Sequence, residues 1–249
     1  MPYEAKIYDI LNARGPQAQM TRGQRFFAKK EWFAVVNGCN CLAFELLGKS
    51  VETIMMAEGK RIMFKDVLML GMQMLEALCF MHSRHMIHRD IKPDNIVSGV
   101  GEKKNIFCLI DFGLSKQYRD PKTLVHNPYK ENKSLTGTPR YASINNHMGV
   151  EQSRRDDLES LAYSLIYLCK GELPWQGIKM PKNVKDTRKY KNRKILESKM
   201  STPVQELCFG IPRCMQDFLF YVRSLRFQDK PKYQEWIDAF GEAILAMGL

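Results

Sequence analysis

The sequence contains no run of about 18 apolar residues, so no membrane-spanning helix is expected. Its first residues, Met1-Pro2-Tyr3-Glu4-Ala5-Lys6, carry no apolar segment of the secretory kind. A cytosolic or nuclear location follows as the expectation. Cys39-Asn40-Cys41 is followed by no second closely spaced cysteine pair, which excludes a zinc knuckle. The seven cysteines are odd in number and most sit in apolar stretches, so buried free thiols are expected. No internal repeat is present, nor any zinc-finger or RNA-binding signature. No G-x-G-x-x-G occurs, since Gly15 and Gly23 do not make one. Acidic residues are the scarcer charge: 27 Asp and Glu face 38 Lys and Arg, a net charge of +11. The surplus concentrates at 116–140 and 179–194. A basic surface there would draw acidic or phosphorylated partners.

What is present reads as strands and one long helix followed mostly by helices, an α+β order. Ile7, Ile10 and Leu11 have helical spacing and predict a short amphipathic helix over 3–13, ended by Gly15-Pro16. Residues 14–30 read as a loop. Apolar runs at 31–36 and 39–46 flank Asn37-Gly38, a hairpin signal. A short helix is expected at 50–56 and a long buried one at 64–81, which tolerates Gly71 at some cost. The six methionines between 55 and 74 read as core filler. Two strands are predicted at 96–98 and 106–110, a helix at 156–169, and further helices near Ile195, at 213–224 and at 233–247.

One stretch carries chemistry. His88-Arg89-Asp90-Ile91-Lys92-Pro93-Asp94-Asn95 is followed, 21 residues after Asp90, by Asp111-Phe112-Gly113. A carboxylate at Asp90 can orient a hydroxyl and take its proton. The Lys92 ammonium can stabilise charge on a moving phosphoryl group. Asn95 and Asp111 offer the oxygens that Mg²⁺ prefers. The order and distance match the protein-kinase signature H-R-D-L-x-x-x-N then D-F-G, with Ile91 in place of Leu. Thr138, in Gly137-Thr138-Pro139, can hydrogen-bond Asp90 and Lys92 through its hydroxyl. His82, His85 and His88 have metal-like spacing, but His88 belongs to the loop motif, so no metal site is expected there.

The sequence resembles the casein kinase 1 family of serine/threonine protein kinases. The resemblance is carried by Glu45-Leu46-Leu47-Gly48, Ile87-His88-Arg89-Asp90, Lys92-Pro93-Asp94-Asn95, Ile110-Asp111-Phe112-Gly113, Leu135-Thr136-Gly137-Thr138, Arg140-Tyr141-Ala142-Ser143-Ile144-Asn145, Glu151 to Leu161 and Leu173-Pro174-Trp175-Gln176-Gly177. Ser-Ile-Asn where most kinases have Ala-Pro-Glu is specific to that family.

The resemblance implies a protein-kinase-like fold with a truncated N-terminal β lobe, residues 1–47, and a mostly helical C-terminal lobe, residues 48–249. ATP and Mg²⁺ would lie between them. Glu4 would be the helix glutamate that pairs with an ATP-anchoring lysine. Phe44 would be the gatekeeper, Glu45 to Gly48 with Leu47 the hinge, and Val97 and Ile110 the walls of the adenine site. Asp90, Lys92 and Thr138 would be catalytic, and Asn95 and Asp111 would hold the metal. Asp157 would anchor the catalytic loop. Arg140, Gly177 and Lys191 (or Lys189) would form an anion site for acidic or pre-phosphorylated protein substrates, met by a monomer without membrane or nucleic acid. The departures are the missing glycine-rich loop and strand lysine, Ala162 for a usual glycine, and Glu52 or Thr53 where an acidic residue meets the ribose. They motivate an alternative expectation, a catalytically impaired, pseudokinase-like module that binds phosphopeptides.

Overall fold

The computed structural model describes residues 2–13, 23–179 and 185–248. The chain first forms helix α1 (Pro2–Asn12), with Ala5, Ile7, Tyr8 and Leu11 on its buried side. Ile10, expected on that side, is exposed instead. Asn12 ends the helix by binding the next segment. Its side chain donates to Ala28 O at 3.2 Å and accepts from Lys30 N at 2.7 Å. Gly15-Pro16, the expected terminator, lies outside the described residues.

Strands β1 (Lys30–Val36) and β2 (Cys39–Phe44) pair antiparallel around Asn37-Gly38. Both turn residues have positive φ, 51° and 75°, the backbone that a tight two-residue hairpin demands. Most of β1 faces solvent, including Trp32 and Val35. Beyond the hairpin, Phe27 makes a parallel bridge to Leu109.

Helix α2 (Val51–Ala57) starts at Ser50, whose Oγ accepts from Thr53 N. Helix α3 (Phe64–Ser83) is the central element, burying Leu68, Leu75, Leu78 and Met81. Gly71 lets it approach its neighbours. A Cβ there would lie 2.8 Å from the Phe240 ring and 3.1 Å from Leu165. The methionine expectation needs correction. Met55 and Met74 are buried, but Met56 and Met69 are exposed, because the helical period turns them outward, and Met63 is exposed at the N-cap of α3.

Short strands follow: β3 (Met86–Ile87) pairs with β6 (Lys116–Gln117), and β4 (Ile96–Ser98) with β5 (Phe107–Leu109). These two ribbons hold the two ends of the motif region. The helical remainder comprises α4 (Ile144–His147), α5 (Arg154–Lys170), α6 (Thr187–Ser201), α7 (Val204–Leu207), α8 (Arg213–Ser224) and α9 (Tyr233–Ala246). Helix α5 is buried along nearly its whole length and stops at Gly171, φ 82°, in the left-handed conformation common after a helix.

A small strand-rich region thus precedes a mostly helical body, as the α+β expectation had it. The cysteines are all free, but only Cys108, Cys169 and Cys208 are buried, since Cys39 and Cys79 lie on outward faces. Among the described residues no helix is long and apolar enough to cross a membrane.

Candidate active site

The loop between β3 and β4 is held from below by a single carboxylate. Asp157, buried on α5, accepts from His88 N at 2.8 Å, Arg89 N at 2.8 Å and His82 Nε2 at 2.8 Å. A carboxylate can only accept, so His82 carries its proton on Nε2, and its Nδ1 takes the Tyr233 hydroxyl. Burial pushes Asp157 up, but the hydrogen bonds it accepts from His82 and from the His88 backbone outweigh it, and its carboxyl lies below the usual range. Burial also holds His82 below its ordinary value, in the neutral form. Arg89 has φ 71°, an uncommon backbone for a side-chain-bearing residue, and the two Asp157 bonds flanking it hold that conformation.

Above this anchor the motif side chains converge. Asp90 is buried, and its carboxylate accepts from Lys92 Nζ at 2.8 Å and from Thr138 N at 2.8 Å. Lys92 also donates to Thr138 Oγ1 at 3.1 Å. This corrects the expectation for Thr138: its hydroxyl reaches Lys92, while Asp90 is met by its backbone N–H. Gly137 permits the approach, because φ is 91° and a Cβ would lie 2.4 Å from Arg89 O. Asn95 Nδ2 donates to Asp90 O at 2.9 Å. The amide nitrogen is thereby used locally, and Oδ1 keeps its lone pairs for a cation.

Asp111 is exposed with φ 64°, beside Phe112, which is fully buried. The Phe112 ring packs on His88, Tyr8 and Phe27, with centroids 4.9 to 5.9 Å apart. Tyr8 in turn stacks on Phe44 at 5.8 Å. Glu4 accepts from Phe112 N at 3.3 Å, so α1 and the Asp-Phe-Gly segment are tied through both backbone and ring. Among the described residues no lysine or arginine forms an ion pair with Glu4. Glu45 is turned outward to Lys103 at 2.8 Å and accepts from Lys29 N. Leu47 is partly buried against the core, and Val97 is buried. Ile110 bonds Asn95 O through its N–H, which sets the distance between the two motif halves.

The oxygen donors Asn95 and Asp111 suit a hard divalent cation, which typically takes one or two protein oxygens and fills the rest with phosphate and water. Among the described residues no group of three or more His, Cys, Asp and Glu is placed to hold a metal. The three histidines part company: His82 faces Asp157, His88 donates to Ile110 O at 3.0 Å, and His85 accepts from Arg119.

Next to this centre opens a cavity of about 760 Å³. Lys92, Asn95 and Thr138 form one side, Arg140 and Gly177 another, and Arg188 and Lys191 of α6 the third. Lys189 is not on its wall. Arg140 lies over the rings of Tyr141 and Tyr167, 5.6 and 5.4 Å from their centroids. Two carboxylates, Asp94 and Glu52, also line it, and Glu52 is held by the Tyr167 hydroxyl at 2.9 Å. Arg188 was not anticipated from the sequence. Its only signal was membership of a basic segment, of which residues 180–184 lie outside the described set.

A carboxylate, an ammonium and two metal-type oxygens, drawn together by the Asp90–Lys92 and Ile110–Asn95 bonds, are the groups that phosphoryl transfer uses. The family model for the protein kinase domain matches residues 25–237. The chain therefore belongs to the protein kinase family, a class that uses ATP with a divalent metal.

Proposed function

We propose that this chain is a serine/threonine protein kinase of the casein kinase 1 type, acting on acidic or already phosphorylated protein segments. The observation that carries the proposal is the cavity that Arg140, Gly177, Arg188 and Lys191 line together with Lys92, Asn95 and Thr138. Such a site would bind an anion on a substrate while its hydroxyl lies beside Asp90. Asp90 orients that hydroxyl and accepts its proton. Lys92, pre-aligned by Asp90 and Thr138, faces the developing charge. Asn95 Oδ1 and Asp111 would hold the divalent metal, which neutralises phosphate charge when bound. The Glu45–Gly48 backbone, with Phe44, Val97 and Ile110 nearby, would take the adenine, and Glu4 would keep α1 against the Asp-Phe-Gly segment. A lysine two residues after the aspartate favours serine and threonine over tyrosine as acceptors.

A phosphopeptide-binding module without turnover is the second reading. It is favoured by Glu4, whose carboxylate meets Phe112 N rather than a lysine. Transfer of labelled phosphate from ATP to an acidic serine peptide decides between them. Transfer that falls about 10²–10⁴-fold in Asp90→Asn supports the kinase. Phosphopeptide binding without any transfer supports the module.

A further inference from the structure

Lys199, in the last turn of α6, is completely buried. A buried ammonium is costly unless oxygens or π-faces replace its water. Here they do. Lys199 Nζ donates to Pro139 O at 3.0 Å and to Ala142 O, and it lies over the rings of Tyr163 and Trp175 at 4.7 and 5.1 Å. No carboxylate forms an ion pair with it among the described residues. Burial holds the ammonium well below the ordinary lysine range. Trp175 adds a second tie by donating its indole N–H to Arg140 O at 2.8 Å.

Both ties land on residues 139–142, the segment that presents Arg140 to the cavity. The other wall comes from the helix that carries Lys199 itself. Arg188 and Lys191 precede it by three turns and by just over two, so all three share one side of α6. We propose that Lys199, together with Trp175, is a positioning residue that fixes the spacing between the Arg140 wall and the Arg188–Lys191 wall of the anion cavity. This rests on the anion-site reading of Arg140. It adds that the selectivity for phosphate is set by a cation no substrate touches. Two cationic walls held apart by a rigid strut cannot collapse, and they take a tetrahedral dianion at a fixed separation.

The test uses a fluorescent acidic peptide carrying one phosphoserine and its unphosphorylated twin. The ratio of their dissociation constants is measured by anisotropy for the whole chain and four variants. Arg140→Ala is expected to cut the phosphate preference about 10-fold. Lys199→Met should cut it to a similar degree while leaving the affinity for the twin unchanged. The double variant should lose little more than either single, because both act on one geometry. Trp175→Phe, which keeps a ring but loses the N–H, should lose part of the preference. A folded Lys199→Met that keeps the preference, beside an Arg140→Ala that loses it, overturns the proposal and leaves the anion site standing. An unchanged preference in Arg140→Ala, or none in the parent, overturns the anion site and the proposal with it. If Lys199→Met does not fold, Trp175→Phe decides, and an unchanged preference there refutes the strut.

Discussion

Replacing Asp157 by alanine should unfold the chain at much lower denaturant concentration. Its carboxylate accepts three hydrogen bonds, each at 2.8 Å, from two backbone amides and a buried imidazole. Truncation leaves three buried donors without partners, at about 1–3 kcal/mol each. Removing the charge returns part of that, since a buried carboxylate is itself costly to desolvate. A net loss of about 3–5 kcal/mol is expected. For a chain of this size that lowers the melting temperature by roughly 6–20 °C. Asp157→Asn keeps one oxygen acceptor but turns an amide NH₂ towards another donor, so it should fall between parent and alanine. The measurement is the urea midpoint, with thermal melting alongside. The acid limb gives a second check. Asp157 is held below its ordinary range, so its contribution is complete above the unfolded carboxylate value near 3.8 and is lost as pH falls through the folded value. If Asp157→Ala unfolds within about 1 kcal/mol of the parent, these bonds do not hold the loop and the reasoning fails.

Acidification should weaken the fold through one partly buried histidine. Burial, with Lys199 beside it, pushes His147 down to about 4. The unfolded chain therefore takes up a proton between about pH 6.5 and 4 that the folded chain refuses, at a cost on the order of 3 kcal/mol. Stability measured across that window should decline in the parent and decline less in His147→Gln. Gly71→Ala sets two effects of opposite sign against each other. Alanine gains up to about 1 kcal/mol in helix propensity, but its Cβ meets the Phe240 ring at 2.8 Å, and overpacking typically costs about 1–3 kcal/mol. A net destabilisation of about 1 kcal/mol is expected by urea titration, and a stabilised variant would contradict the close packing. Phosphopeptide binding to the Arg140 cavity should weaken as salt is raised from 50 to 300 mM, whereas a salt-independent affinity would remove the charge argument.

Much of this was legible in local patterns. Asn37-Gly38 marked the hairpin because few residue pairs accept two successive positive φ values. The Asp90 to Asn95 spacing with Asp111 marked the candidate site because a short ribbon, β4–β5, joins the two halves and the Ile110–Asn95 bond sets their distance. The outward methionines of α2 and α3 were not legible, since residue type was weighed above helical phase. Lys199 was invisible for another reason. In Glu197-Ser198-Lys199-Met200 it reads as an ordinary surface cation, and its burial is explained by carbonyls about 60 residues earlier and by the Tyr163 and Trp175 rings. The meeting of Arg140 with Arg188 is long-range in the same way. Thr138 was placed correctly, but which of its atoms meets Asp90 depends on the turn at Gly137.

The β1–β2 hairpin has a consequence for how any nucleotide would be felt. Among the described residues its strands form a two-stranded sheet of their own and leave Trp32 50% and Val35 64% exposed. Little apolar contact holds its amides closed, so they should exchange with deuterium far faster than those of α5, whose opening requires nearly global unfolding. The segment that would cradle adenine, Glu45–Gly48, is the direct continuation of this loosely held ribbon. A ligand bridging it to the catalytic loop must first order it. Affinity is reduced by that ordering entropy, and slowed hairpin exchange becomes the most sensitive report of occupancy.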